Sequence, residues 1–398
     1  MLKWRPLGFG FTLFVVISLV LLFYRAEDDE ITAPLLKTLD IIPSVLSDAE
    51  ILNVDWDDLD YPQSASHAEA THSRPEKNLD PITGRANATL LMLTRNSDLD
   101  EAVKSIESLE RTFNHAHNYP WIFLNEEPFT ATFKKRVATL TNASVQFGII
   151  PREHWFQPDW IDEEKARQGR IRLQQFRGAY AESVSYRNMC RFYSGFFFWH
   201  ELLQPYKWYW RVEPGVQFFC HLDFDPFAYM MENKKRYSFT LSMKEGPRTI
   251  PSLWSTVRSF TSLHPQYLAR SNAHKFISED KGHNYNLCHF WSNFEIADLD
   301  FFRSPAYTAF FSYLDGTGNF YYERWGDAPV HSIAASLFLP KDQIHFFGDI
   351  GYRHYPFQHC PQGDSWTRGK CECDVENNFD YQGDSCTGKF QALFDEIV

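Results

Sequence analysis

Positive charge is scarce in this 398-residue chain: 39 lysines and arginines stand against 51 aspartates and glutamates, a net charge of −12. No basic stripe is left to neutralise phosphates, which excludes a nucleic-acid partner. Cysteine is also sparse until late, with only Cys190, Cys220 and Cys288 before the cluster Cys360, Cys371, Cys373 and Cys386. No segment repeats internally. Uncharged apolar runs of membrane length are confined to residues 7–24.

That run has 18 residues and spans about 27 Å as a helix, enough for a thin bilayer. Lys3 and Arg5 precede it, and Glu27, Asp28, Asp29 and Glu30 follow Arg25. The positive-inside rule then predicts a cytosolic tail over 1–6, a signal anchor over 7–24 and a luminal remainder. A cleaved signal peptide is the alternative. The length of the run, and the lack of a small-x-small site after it, favour the anchor. Its shortness suits a Golgi or ER membrane. Residues 25–85 are acidic with no sustained apolar period, and are expected to be a luminal stem. Asn87-Ala-Thr and Asn142-Ala-Ser are N-glycosylation sequons, which fit a lumen. In that compartment the cysteines are expected to pair as disulfides with one thiol left over. A zinc site at Cys371 and Cys373 is the rival.

Aromatic residues are 17% of the chain, enough for a sizeable core. Apolar runs of strand length at 89–94, 121–124 and 145–150 alternate with helical spacing at 99–113 and 130–140. Such alternation predicts βαβ units, a parallel sheet and the α/β class. Residues 152–175 are expected to be helical with a loop. Ser185 is expected to cap a helix carrying Met189, Phe192, Phe196 and Leu203. Strands are expected at 208–213 and 237–241.

The strand at 208–213 stops at an acid, Glu213, followed by Pro214 and Gly215. Ligands of open α/β sheets bind at the carboxyl ends of strands. With a luminal address, this points to a nucleotide-sugar transferase. A diphosphate leaving group needs its charge neutralised, usually by a divalent cation. Three candidates compete to hold one: Glu213, the literal Asp223-x-Asp225, and His354 in a loop with two glycines. Asp98-x-Asp100 and Asp298-x-Asp300 share the second form, and Asp225 before Pro226 equally suits a helix cap. Glu295 interrupts an aromatic run at 290–297. It is either paired in the core, or acts as a nucleophile or a stabiliser of an oxocarbenium ion. Arg95 follows the first strand, where a nucleotide would lie. Tyr186 and Arg187 open a helix, where its amide groups and Arg187 suit a phosphate and Tyr186 a sugar. Asp327 and His331 are expected near the acceptor.

Several longer runs are distinctive: Ser185-Tyr-Arg-Asn-Met-Cys-Arg-Phe, Tyr209-Trp-Arg-Val-Glu-Pro, His289-Phe-Trp-Ser-Asn-Phe-Glu-Ile-Ala, Glu323-Arg-Trp-Gly-Asp-Ala-Pro-Val-His, and Asp349-Ile-Gly-Tyr with His354. Through them the chain resembles the fungal α-1,2-mannosyltransferases of glycosyltransferase family 15, over about residues 86–390. The resemblance implies a GT-A-like catalytic domain over 86–398 with a mixed, mainly parallel sheet. Within it, the donor half would cover about 86–240, the acceptor half about 241–359 and a cysteine-rich tail about 360–398. It further implies GDP-mannose as donor, Mn2+ as cofactor, retention of configuration and a mannose-bearing glycoprotein as acceptor. Glu295 would be the catalytic carboxylate and Glu213 the strand-end acid. His354 would bind the metal, and Tyr186 and Arg95 the donor. His221, the Trp199-His200 pair and residues 243–248 depart from the family pattern, which bears on acceptor choice. Mannosylphosphate transfer and mannan binding without turnover are the alternative functions.

Overall fold

A computed structural model describes Trp56, Leu79 and residues 85–395. Its strands, in chain order, are β1 (Ala88–Leu93), β2 (Trp121–Asn125), β3 (Val145–Ile149), β4 (Trp208–Arg211), β5 (Gln217–Phe218) and β6 (Tyr237–Phe239). They continue with β7 (Ser242–Lys244), β8 (Cys288–Phe290), β9 (Glu295–Asp298), β10 (Ile344–Phe346), β11 (Tyr352–His354) and β12 (Phe357–His359). The longer helices are α1 (Leu99–Leu109), α2 (Ala131–Ala138), α3 (Glu163–Gln175), α4 (Val184–Gly195), α5 (Leu253–Leu263), α6 (Pro305–Asp315), α7 (Asp327–Phe338) and α8 (Thr387–Asp395).

The main sheet has seven strands in the order β10-β6-β9-β4-β1-β2-β3. Pairs β1–β2, β2–β3, β1–β4 and β6–β10 are parallel, while β9 runs antiparallel to both β4 and β6. The sheet is therefore mixed and mainly parallel, as expected. Side chains alternate between its faces. Leu91 and Tyr209 enter one core, with α4, α5, α6, α7 and α8. Leu90, Met92, Trp208 and Trp210 enter the other, with α1 and α2. Both faces are covered, which is why β1 and β2 read as continuous apolar runs.

Three expectations change in detail. Ser183, not Ser185, caps α4, its hydroxyl accepting from Tyr186 N at 3.0 Å. The helix ends at Gly195, where a Cβ would come within 2.0 Å of the Phe311 ring. Leu203 therefore lies beyond it, in a separate 3-10 turn. The third concerns the stem. Trp56 is only 3% exposed, packs 5.2 Å from Trp254 between ring centroids, and donates its N–H to Lys281 O at 3.0 Å. At least this residue of 25–85 is part of the catalytic body. Gly282, at φ 91°, leaves room for it, since a Cβ there would meet the Trp56 ring at 2.5 Å.

The cysteines form Cys220–Cys371, Cys288–Cys386 and Cys360–Cys373, and the remaining thiol, Cys190, is buried. Cys371 and Cys373 are thus spent on disulfides, which removes the zinc reading. The apolar run at 7–24 lies outside the described residues. Among those described, no helix is long and apolar enough to cross a membrane.

Candidate active site

The site grows from the end of β4. Its aromatic residues bury the strand, and the chain then reverses at Glu213-Pro214-Gly215-Val216. Pro214 and Gly215 occupy the central positions, Gly215 has φ 84°, and Val216 N–H meets Glu213 O at 3.5 Å. This is the signature of a type II turn. The chain leaves the turn as β5, which pairs antiparallel with β11 through Gln217↔Arg353 and Phe218↔Tyr352. That register sets His354 beside the turn, although it is remote in sequence.

His354 Nε2 lies 3.4 Å from Glu213 Oε2, with the two side chains 30% and 23% exposed. His354 Nδ1 lies 3.2 Å from Tyr355 O, so Nδ1 carries the proton and Nε2 faces Glu213. Burial alone would raise the Glu213 carboxyl. The Arg211 charge and contact with His354 outweigh it and hold the group at about 2. Burial pushes His354 down, but Glu213 wins and raises it above its ordinary value.

Arg211, 2% exposed, is the hub. Its Nη2 and Nε donate to Glu213 Oε1 at 2.5 and 3.1 Å. Its Nη1 donates to Asp327 Oδ2 at 2.6 Å, and its cation lies 3.4 Å from the Tyr193 ring centroid. Ser292 adds a hydroxyl to Asp327 Oδ2 at 2.7 Å. Burial works against the Asp327 charge, yet Arg211 and His331 hold its carboxyl below the usual range. Asp327 is also the first residue of α7, where the helix dipole favours an anion.

Directly across from Arg211 in the β4–β9 register stands Glu295. It is fully buried. Tyr209 OH donates to one of its oxygens, and Tyr237 OH to the other at 2.7 Å. His331 Nδ1 approaches at 2.9 Å, while His331 Nε2 lies 2.9 Å from Tyr193 O. Both groups that face the ring can accept, an arrangement that favours its doubly protonated form. Burial opposes that charge, but Glu295 raises the His331 pKa above its ordinary value.

At the neighbouring carboxyl ends, Arg95 donates from Nε to Glu126 Oε1 at 2.8 Å and from Nη2 to Ser185 Oγ. The next residue, Tyr186, stacks on Tyr180 with centroids 4.2 Å apart, and Arg324 lies 5.3 Å from its ring.

The structure thus brings Glu213 and His354 together, sets Arg95 next to the start of α4 and Tyr186, and links Asp327 to Glu213 through Arg211. Glu295 is buried and paired with Tyr209, Tyr237 and His331. Asp327 and His331 are not placed to meet an acceptor. Asp327 is bound to Arg211 and Ser292, and His331 is wholly buried with both nitrogens engaged. Asp225 caps a helix through Phe227 N and accepts from Tyr119 OH at 2.6 Å, and Asp298 caps another through Asp300 N. Asp98 accepts from Arg95 N. The Asp-x-Asp forms are structural. Arg211, Ser292, Tyr209 and Tyr237 were missed from sequence. Arg211 had left a signal: it is the one charge in a buried aromatic strand.

No group of three or more histidine, cysteine or acidic side chains is arranged for a metal among the described residues. Glu213 and His354 still fit a cation such as Mn2+. They offer one carboxylate and one imidazole, partly open to solvent, and leave the other positions to phosphate oxygens and water.

A mixed α/β sheet with an acidic turn and an imidazole at its carboxyl edge suits a glycosyltransferase, and its superposition on solved mannosyltransferases makes the fold GT-A-like. The chain belongs to the glycolipid 2-alpha-mannosyltransferase family, whose model matches residues 50–394. It is 52% identical over 311 residues to the O-glycoside alpha-1,2-mannosyltransferase omh1 of Schizosaccharomyces pombe, covering 78% of this chain and 80% of that one. Core-mannan synthase A from Aspergillus fumigatus, solved in a Mn/GDP form, superposes with a TM-score of 0.74 at 40% identity, covering 79% of this chain and 87% of that one. The mannosyltransferase Ktr4p of Saccharomyces cerevisiae, solved with GDP, gives 0.75 at 40% identity, with 79% and 84% covered.

Proposed function

We propose that the protein transfers mannose from GDP-mannose to the 2-hydroxyl of a terminal mannose on a glycoprotein glycan, retaining configuration and using Mn2+. The observation that carries this reading is the Glu213–His354 pair, 3.4 Å apart at the carboxyl edge of the sheet. The GDP and Mn/GDP forms of the solved relatives support the donor and the metal, and the α-1,2 specificity of the relatives supports the linkage.

Glu213 and His354 would hold the cation, and Arg95 and Tyr186 the donor. When bound, the cation neutralises the charge that gathers on the departing diphosphate. Arg211 keeps Glu213 ionised and fixed in direction. Burial of Glu295, with Tyr209, Tyr237 and His331 all turned to it, favours an electrostatic role over attack. The acceptor hydroxyl then approaches from the face the diphosphate leaves. Its oxygen forms the new bond to the anomeric carbon, the bond to the diphosphate breaks, and the acceptor proton passes to a departing phosphate oxygen. Residues 7–24 would anchor the chain in a Golgi or ER membrane with the catalytic domain luminal.

The test is linkage analysis of the product formed from GDP-mannose and α-methyl mannoside, with Mn2+ and with chelator. An α-1,2-linked disaccharide that vanishes with chelator is expected. Any other linkage, or indifference to chelator, overturns the reading.

A further inference from the structure

The two sequons occupy opposite environments. Asn87 is buried: its side-chain amide donates to Pro205 O at 2.8 Å, and its carbonyl receives both Lys207 N and Trp208 N at 3.0 Å. Thr89 of that sequon is fully buried in β1 and donates its hydroxyl to Pro120 O at 2.9 Å. A sugar on Asn87 would prise β1 from β4 at the centre of the sheet. Asn142 and Ser144 are exposed, in the loop between α2 and β3.

The loop also has a position of consequence. β3 ends the sheet order, so among the described residues its outer side pairs with no strand, and of the outward groups the Ile149 carbonyl meets His200 Nε2 at 3.2 Å. Ile149 at its far end is 56% exposed. An open edge of this kind invites pairing with another chain unless something covers it. Asn142 stands three residues before Val145, the first residue of that edge. Arg95, Glu126 and Glu213 follow the opposite, carboxyl ends of β1, β2 and β4, and a five-residue strand such as β3 is about 16 Å long.

We propose that Asn142 carries an N-linked glycan, that Asn87 carries none, and that the glycan shields the β3 edge without obstructing the donor site. This rests on the luminal orientation given above. The donor is a polyprenyl-diphosphate-linked oligosaccharide. Its anomeric carbon–diphosphate bond breaks as a bond to Asn142 Nδ2 forms, and one amide proton is lost to the departing diphosphate.

The full chain is expressed in a eukaryotic host, and membranes are treated with peptide-N-glycosidase. The wild type is expected to lose the mass of one glycan. Asn142→Gln and Ser144→Ala are expected to lose none, to keep their rate of mannose transfer to α-methyl mannoside, and to aggregate more on purification. A glycan surviving on either variant places sugar on Asn87 and overturns the assignment. Aggregation equal to wild type overturns the shielding role. Protease applied to sealed vesicles separates the remaining failures. A protected domain without glycan refutes the Asn142 site alone, whereas a digested domain refutes the luminal orientation with it.

Discussion

Arg211 holds Glu213 from inside the sheet, donating to one carboxylate oxygen at 2.5 and 3.1 Å and leaving the other towards His354. Its remaining nitrogen is spent on Asp327 at 2.6 Å. One planar cation thus fixes two carboxylates on separate elements, which the single ammonium of lysine cannot reproduce. Arg211→Met leaves Asp327 buried beside an apolar group, and breaking such a pair costs about 3–5 kcal/mol. The expected result is a clear fall in unfolding free energy in urea together with loss of mannose transfer. Arg211→Lys is expected to recover part of the stability and little of the activity. Wild-type values for the Met variant would refute the hub role.

His354 and Glu213 are the only protein ligands proposed for the cation, so each matters more than in a crowded site. His354→Ala is expected to raise the Mn2+ concentration for half-maximal activity by at least 10- to 100-fold, in line with the sensitivity of metal sites to the groups that position their ligands. Titrating Mn2+ against initial rate checks this. An unchanged half-maximal concentration would remove His354 from the site.

His331 ties stability to pH. Its native pKa is raised by Glu295, so the folded chain holds a proton that the unfolded chain releases near its ordinary value of about 6.5. The stabilisation is therefore complete below that pH and declines as pH rises through the raised native value. Between the two, one retained proton gives a slope of about −1.4 kcal/mol per pH unit. Urea midpoints across this range, wild type against His331→Gln, are expected to converge as pH rises. A constant difference would show that the ring is not charged.

The parallel half of the fold was legible because its buried strands are apolar runs too short for helices, split by polar loops. The site was only partly legible. Glu213 could be found from Pro214 and Gly215, which mark a strand end. Its pairing with His354 could not, because it depends on β5 and β11, short strands whose residues carry no pairing code. Asp327 and His331 were misread for a related reason. Gly326 suggests a surface turn, yet the helix it opens is apolar around most of its circumference, from Val330 to Phe338, and such a helix is buried. Asp327 and His331 went inside with it. Glu295 presented both readings from the start, and its pairing shows only in the positions of Tyr209, Tyr237 and His331.

The tail braces the metal-site hairpin. Cys220 follows β5 and joins Cys371, while Cys360 follows β12 and joins Cys373, so both strands that flank β11 are tied to one short segment. Replacing Cys220 and Cys371 by serine is expected to cost roughly 2–5 kcal/mol. It should also raise the Mn2+ requirement, because β11 carries His354. Alkylation under denaturing, non-reducing conditions should label Cys190 alone. More than one label per chain contradicts the pairing described here.

Trp56 makes the expected stem a partner in folding. A Trp ring 3% exposed and packed against Trp254 and His274 contributes on the scale of a large core residue. Truncating such a ring to alanine costs about 3–5 kcal/mol, and here the void opens beneath Gly282 and the Lys281 carbonyl. Trp56→Ala should therefore lower the thermal midpoint by several degrees. It should leave KM for GDP-mannose unchanged, since the ring packs on Trp254 and His274, outside the proposed donor site. A chain begun at residue 86, which lacks the ring, should be less stable than one begun at residue 50. If the chain begun at 86 is as stable as the longer one, Trp56 sits on the surface without consequence and the stem is a spacer throughout.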